Sequence, residues 1–322
     1  MSWRKPITAI DLFAGGGGSS CGARAAGIKV VAAVDCLPLA KKIYEENFPD
    51  VLFLNQKCEK IRLRSLKKKI GNVDLIMASP ECTSHTCAKG NAPRSEESRR
   101  TAFQVTRFAK ALKPRWIVIE NVVHMRTWKR YSSWVQEIRD LGYKITEQVI
   151  NAADHGVPQS RRRLFLLCDR QKEPPKVAAP SSKIQMRSAN SIICQDKNFE
   201  FSLVRRKERA AATIDRANRA IKSLGRNKPF LLVYYGSDAA GGWQRLDRPL
   251  RTITTLDRFA YVRPSKHGHE MRMLQVPELK AAMGFSKSYS FGAGTRREKI
   301  KLLGNAVCPP VMKTALRCLT RS

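Results

Sequence analysis

Short apolar runs alternate with amphipathic stretches through the first half of the chain. Residues 7–13, 30–34, 51–54, 73–78, 116–120, 144–149 and 164–167 have the length and β-branched content of buried strands. Between them, apolar residues recur at helical spacing around 20–26, 39–47, 101–112 and 133–141. The rhythm predicts βαβ units: an α/β fold with a doubly wound, mainly parallel sheet and helices on both faces. In such sheets ligands sit beyond the carboxyl ends of the strands, so the residues just past each strand are the ones to examine.

Past Asp169 the rhythm fails. Residues 171–230 are polar and basic, with Pro174-Pro175 and the cluster Arg205-Arg206-Lys207-Glu208-Arg209. A boundary is therefore expected near 171–180. It divides a catalytic and cofactor-binding domain (1–170) from a smaller irregular domain (171–270), and residues 271–322 return to the first. Helical periodicity resumes at 271–283 and again from Pro310.

A chain of 322 residues with 43% hydrophobic and 27% charged residues buries a core and is not a disordered polymer. Charge changes the picture further. Lys and Arg number 60 against 27 Asp and Glu, a net charge of +33 spread along the chain, which points to a polyanionic partner. Nine irregularly spaced cysteines and a start, Met1-Ser-Trp-Arg-Lys-Pro6, without a secretory pattern predict reduced thiols in an intracellular compartment. No apolar run approaches the roughly 20 residues of a membrane span.

The first strand leads into Asp11-Leu12-Phe13-Ala14-Gly15-Gly16-Gly17-Gly18, glycines that let a ligand approach main-chain N–H groups at a helix N-terminus. No Gly-Lys-Ser/Thr follows, which disfavours an NTPase. The second strand ends in Asp35, placed to accept hydrogen bonds from a ribose diol. The fourth leads into Ser79-Pro80-Glu81-Cys82, making Cys82 a candidate nucleophile or, in the blander reading, a small buried hydrophobe. Cys82, His85 and Cys87 lack the second ligand pair of a structural zinc site, so no metal is expected. Glu120 ends the next strand, where burial would let it donate a proton near neutral pH. In Gln159-Ser-Arg161-Arg-Arg163, the alternation of a strand points Arg161 and Arg163 the same way, suited to a phosphate or a base carbonyl.

With these segments in this order, and with Gly304-Asn305-Ala306-Val307 near the end, the sequence resembles the DNA (cytosine-5) methyltransferases over residues 7–169 and about 248–314. The resemblance implies a Rossmann-like class I methyltransferase fold, with 171–270 as a target-recognition domain. It implies S-adenosyl-L-methionine as cofactor and S-adenosyl-L-homocysteine as product. Phe13, Ala14, Gly15, Gly17, Gly18 and Pro80 would contact the cofactor, and Asp35 its ribose. Cys36 and Glu59 would lie near the adenine, and Asn305 and Val307 would close the pocket. Two departures stand out: Cys36 replaces a bulky residue, and Ser79-Pro80-Glu81-Cys82 replaces Pro-Pro-Cys-Gln, as in a minority branch.

The resemblance also carries a mechanism, in which Cys82 adds to C6 of a flipped-out cytosine, Glu120 serves N3, and Arg161 and Arg163 hold the base. It brings with it DNA methylation, and the setting of restriction–modification. The expected partner is double-stranded DNA, bound by a monomer in the cytoplasm of a bacterium, at its nucleoid, whether host- or phage-encoded. A tRNA cytosine-5 methyltransferase is the nearest alternative, although Cys82-Thr-Ser-His-Thr86 does not reproduce that branch's Cys-Phe-Thr. A catalytically inactive DNA-binding homologue would have no need of Cys82, Glu120 and Arg163 together, and a nicotinamide oxidoreductase fits the Phe-Ala-Gly-Gly loop poorly.

Overall fold

Seven strands form the larger sheet in the computed structural model, which describes residues 5–80, 101–178, 186–195, 199–235 and 241–321. They are β1 (Thr8–Leu12), β2 (Lys29–Val34), β3 (Leu52–Leu54), β4 (Leu75–Ala78), β5 (Trp116–Asn121), β6 (Lys144–Asn151) and β7 (Arg162–Asp169), in the spatial order β3-β2-β1-β4-β5-β7-β6. β1 to β5 run parallel, while β7 is antiparallel to both its neighbours. The chain works outward from β1 to β3 and then returns to β4. The order therefore reverses between β1 and β4, which opens a crevice above their carboxyl ends.

Among the described residues, the helices of the first half that cover this sheet are α1 (Gly18–Ala26), α2 (Pro38–Asn47), α3 (Leu63–Ile70), α4 (Ala102–Leu112) and α5 (Tyr131–Asp140). The pleat sends Ala9, Leu75, Met77 and Val118 to one layer, with Ala23, Ile43 and Tyr44 from α1 and α2. Ile10, Leu12, Ile76, Ile117 and Ile119 go to the other, with Leu66, Phe108, Trp134 and Ile138 from α3, α4 and α5. Central strands buried on both sides explain the unbroken apolar runs.

The region that sequence reads as irregular holds a five-stranded antiparallel sheet. Its strands are β8 (Ser202–Leu203), β9 (Phe230–Val233), β10 (Trp243–Arg245), β11 (Phe259–Ser265) and β12 (Gly268–Met273), in the order β10-β9-β11-β12-β8. Helix α6 (Ala211–Leu224) packs on it through Ala217 and Ala220 with half-buried Ile221 and Leu224, and its buried residues, Thr213, Ala217 and Ala220, are too small to mark a helix in the apolar pattern. Residues 271–283 are not one helix. Met271 pairs with Val262 on β11, and α7 (Val276–Ala282) starts afresh, fixed by Pro277 in its first turn and by the reciprocal capping of Gln275 and Glu278. Two further helices complete the chain, α8 (Arg296–Asn305) and α9 (Pro309–Arg321). α9 lies close against α1, where a Cβ on Gly22 would stand 2.6 Å from that of Met312. Among the described residues no helix is long and apolar enough to cross a membrane.

Asp11, at the end of β1, is wholly buried, accepts a hydrogen bond from Ser20 Oγ at 2.6 Å and leaves Oδ1 without a partner. Burial pushes its carboxyl up to about 7. A carboxyl raised in the folded state stabilises most when protonated, so this contribution is present below the unfolded value near 4 and lost as pH rises through about 7. The melting temperature is accordingly expected to fall between pH 5 and pH 8, and to fall less in Asp11→Asn, which keeps an acceptor for Ser20. Equal slopes for the two proteins would contradict this account.

Candidate active site

A cavity of about 500 Å³ opens at the carboxyl ends of β1, β2, β4 and β5, within the range of small-molecule sites. Its walls come from both ends of the chain: the loop after β1, the turn after β2, residues 56–59, Ser79 and Pro80, the end of β5, the start of β7, and the turn after α8.

The glycine loop forms one wall. Phe13 has φ +61°, a conformation that a bulky side chain adopts at a cost of about 1–3 kcal/mol and that recurs at ligand sites. Asp35 braces the loop, since its Oδ2 accepts from the N–H of Gly15 at 2.8 Å and its Oδ1 from that of Leu37 at 2.9 Å. A carboxylate offers about four acceptor sites, so capacity remains for a ligand. Burial raises the Asp35 carboxyl, and these main-chain donors oppose the rise. Phe13, Ala14, Gly15, Gly18, Asp35, Cys36, Glu59, Pro80, Asn305 and Val307 all line the cavity. Gly17 does not; a Cβ there would meet Tyr289 Oη at 2.4 Å, so it serves the packing behind the loop, and Gly16 takes its place on the wall. A Cβ on Gly18 would stand 2.1 Å from the carbonyl oxygen of Val307, which shows how closely the loop and the C-terminal turn approach.

Glu120 lies deeper, 5% exposed, with Oε1 3.2 Å from Arg163 Nε. Burial raises its carboxyl; Arg163 first, then Arg161, pull it down, and burial wins. Asn121 donates from Nδ2 to the carbonyl of Pro80 at 3.1 Å and so ties the end of β5 to the segment that leads toward Cys82. Cys82 itself, with Glu81, His85 and Cys87, lies outside the described residues.

Arg161 lines the cavity but spends its guanidinium on main chain. Nη1 donates to the carbonyl of Ile253 at 3.0 Å, and Nη2 to those of Gly304 at 2.8 Å and Ala306 at 3.1 Å. Gln159 does similar work two residues earlier, accepting from the N–H of Ile253 and donating to the carbonyl of Ala282. The pair stitches the approach to β7 onto the residues returning from the smaller sheet. Gln56, Lys57, Lys301 and Leu302 also face the cavity. No motif singles them out, because they reach it only through the closure of distant segments.

Residues 7–320 match the family described as C-5 cytosine-specific DNA methylase. The type II methyltransferase M.HgiDI of Herpetosiphon aurantiacus is 28% identical over 310 residues, 92% of this chain and 89% of that protein. The human tRNA (cytosine(38)-C(5))-methyltransferase is 27% identical over 180 residues, 55% of this chain and 46% of that one. The chain spans about half the length of several curated relatives that it matches. Among solved structures, a mutant of Spodoptera frugiperda DNMT2 superposes with a TM-score of 0.71 at 20% identity, over 97% of this chain and 99% of that one, a likeness of fold.

Proposed function

Since the chain belongs to the C-5 cytosine-specific DNA methylase family, we propose that it methylates C5 of a cytosine flipped out of double-stranded DNA, through a transient bond to Cys82. The observation that carries this reading is the buried Glu120–Arg163 pair sharing one cavity with the glycine loop and Asp35. S-adenosylmethionine, the methyl donor of this family, would supply an electrophilic methyl group. The cavity suits it: the main chain of Gly15, Gly16 and Gly18 on its wall for the amino-acid end, Asp35 for a ribose diol, and Cys36, Glu59, Asn305 and Val307 around the remainder.

C5 of cytosine is too poor a nucleophile to take a methyl group unaided. The thiolate of Cys82 is assigned to form the bond to C6. Glu120 shares its proton with N3 at the same time, so that the electron pair gathers at C5. After methylation, a base takes the C5 proton, the C5–C6 double bond re-forms as the Cys82 thiolate leaves, and the proton shared with N3 returns to Glu120. Arg163 holds Glu120 in place and adds positive charge where the ring becomes electron-rich. A stacked base cannot reach these groups, so it must flip out at a cost of a few kcal/mol, offset by phosphate contacts of the basic chain.

The likeness to the tRNA enzyme supports transfer to tRNA cytosine as a second reading. Incubation with labelled S-adenosylmethionine and either duplex DNA or tRNA decides between them. Label is expected in duplex DNA; label in tRNA alone would overturn the assignment.

A further inference from the structure

Helix α3 and the turn before it carry Lys60, Arg62, Arg64, Lys67, Lys68 and Lys69, all exposed, with no Asp or Glu between residues 60 and 73. Helix α4 packs beside α3, and residues 101–115 likewise contain no carboxylate, while Lys110 and Lys113 add two exposed cations. None of these eight has a salt-bridge partner among the described residues. Among the described residues, the acids that flank this stretch of sequence are engaged elsewhere: Asp74 accepts from Thr8, and Glu59 faces the cavity.

Ordinary helix electrostatics explain only part of this. Lys67, Lys68 and Lys69 occupy the last turn of α3, where the negative end of the helix dipole favours cations. Arg62 is the N-cap and Arg64 lies in the first turn, at the positive end, where a cation is unfavourable and an acidic residue is the usual choice. Leu66 anchors the opposite face of α3 in the core, so the charged face is fixed outward. A flank eight cations strong, one end of which works against its own helix, is shaped for an external anion. Phosphates spaced along a nucleic-acid strand complement it: α3 is about 12 Å long, the length of three to four phosphates at 3.4 Å each.

We propose that the outer face of α3 and α4 is a second nucleic-acid contact, separate from the cavity, which grips the phosphate backbone of the duplex beyond the nucleotide being modified. It rests on the proposed DNA substrate, but its test needs no methyl transfer. The variant is Arg62→Gln, Arg64→Gln, Lys67→Gln, Lys68→Gln and Lys69→Gln together. Binding is measured against salt on duplexes of about 40 and about 12 base pairs, the shorter filling only the cleft. On the longer duplex the slope of log K against log salt is expected to fall by about three, near 0.9 for each phosphate that the variant leaves unneutralised, with affinity down at least about tenfold at low salt. On the shorter duplex the two proteins should bind alike. The double variant Arg62→Gln/Arg64→Gln should weaken binding to the longer duplex while its melting temperature holds or rises, because it removes cations from the positive end of α3. Equal losses on both duplexes, no loss on either, or a loss seen with tRNA alone would overturn the proposal. Failure of the methylation reading would show differently, as no label in DNA while the length-dependent salt effect persists.

Discussion

Glu120→Gln is expected to lower kcat for methyl transfer by roughly 10²-fold or more, the usual contribution of a positioned general acid, while duplex binding is kept. The substitution preserves shape and removes the proton and the charge paired with Arg163. The pH dependence follows from the same surroundings. Burial raises the Glu120 carboxyl above its ordinary value even though Arg163 and Arg161 pull it down, so its protonated form persists to higher pH than that of a free carboxyl. kcat should therefore decline as pH rises through that raised value. Arg163→Met removes the larger lowering influence, and the declining limb should move to higher pH. A kcat–pH profile of the two variants checks both points. Lost DNA binding with an unaltered chemical step in Glu120→Gln would refute the acid role, and a limb that moved to lower pH in Arg163→Met would refute the electrostatic account.

The parts of this molecule that are plain in the sequence are those governed by local pattern. Every residue of Leu75–Ala78 and of Trp116–Asn121 is buried, so β4 and the first four residues of β5 appear as unbroken apolar runs, with Ser79 and Pro80 just past β4 and Glu120 and Asn121 at the end of β5. What local pattern does not carry is closure. Gly17 and Gly16 are indistinguishable in a run of four glycines, and the side chains packed against Gly17, Phe48 and Tyr44 from α2 and its end and Tyr289 from 272 residues onward, decide which faces the cavity. Helix α6 hides because its buried face is Thr and Ala. Strand β8 is two residues long and exists only because β12 pairs with it.

Arg161 shows the same limit most sharply, and yields the second large effect. Strand alternation and the family resemblance both direct it toward the base, yet its guanidinium is bonded to the carbonyls of Ile253, Gly304 and Ala306, residues 92 to 145 positions away. Arg161→Met would leave three inward-facing carbonyls without their charged donor, at about 3 kcal/mol or more, since hydrogen bonds to charged groups contribute about 1.5–3 kcal/mol each and are not fully additive. The loss should not stop at stability. Gly304 and Ala306 flank Asn305, and Val307 follows, so loosening this turn should also weaken binding of S-adenosylmethionine. Arg161→Lys keeps a positive charge near Glu120 but offers a compact ammonium in place of the planar fork, and should recover only part of either loss. Urea unfolding with calorimetric titration of S-adenosylmethionine measures the two effects together. A purely base-holding arginine would behave otherwise, leaving unfolding and cofactor affinity untouched and lowering only kcat on DNA, and that outcome would return Arg161 to the role its strand position suggests.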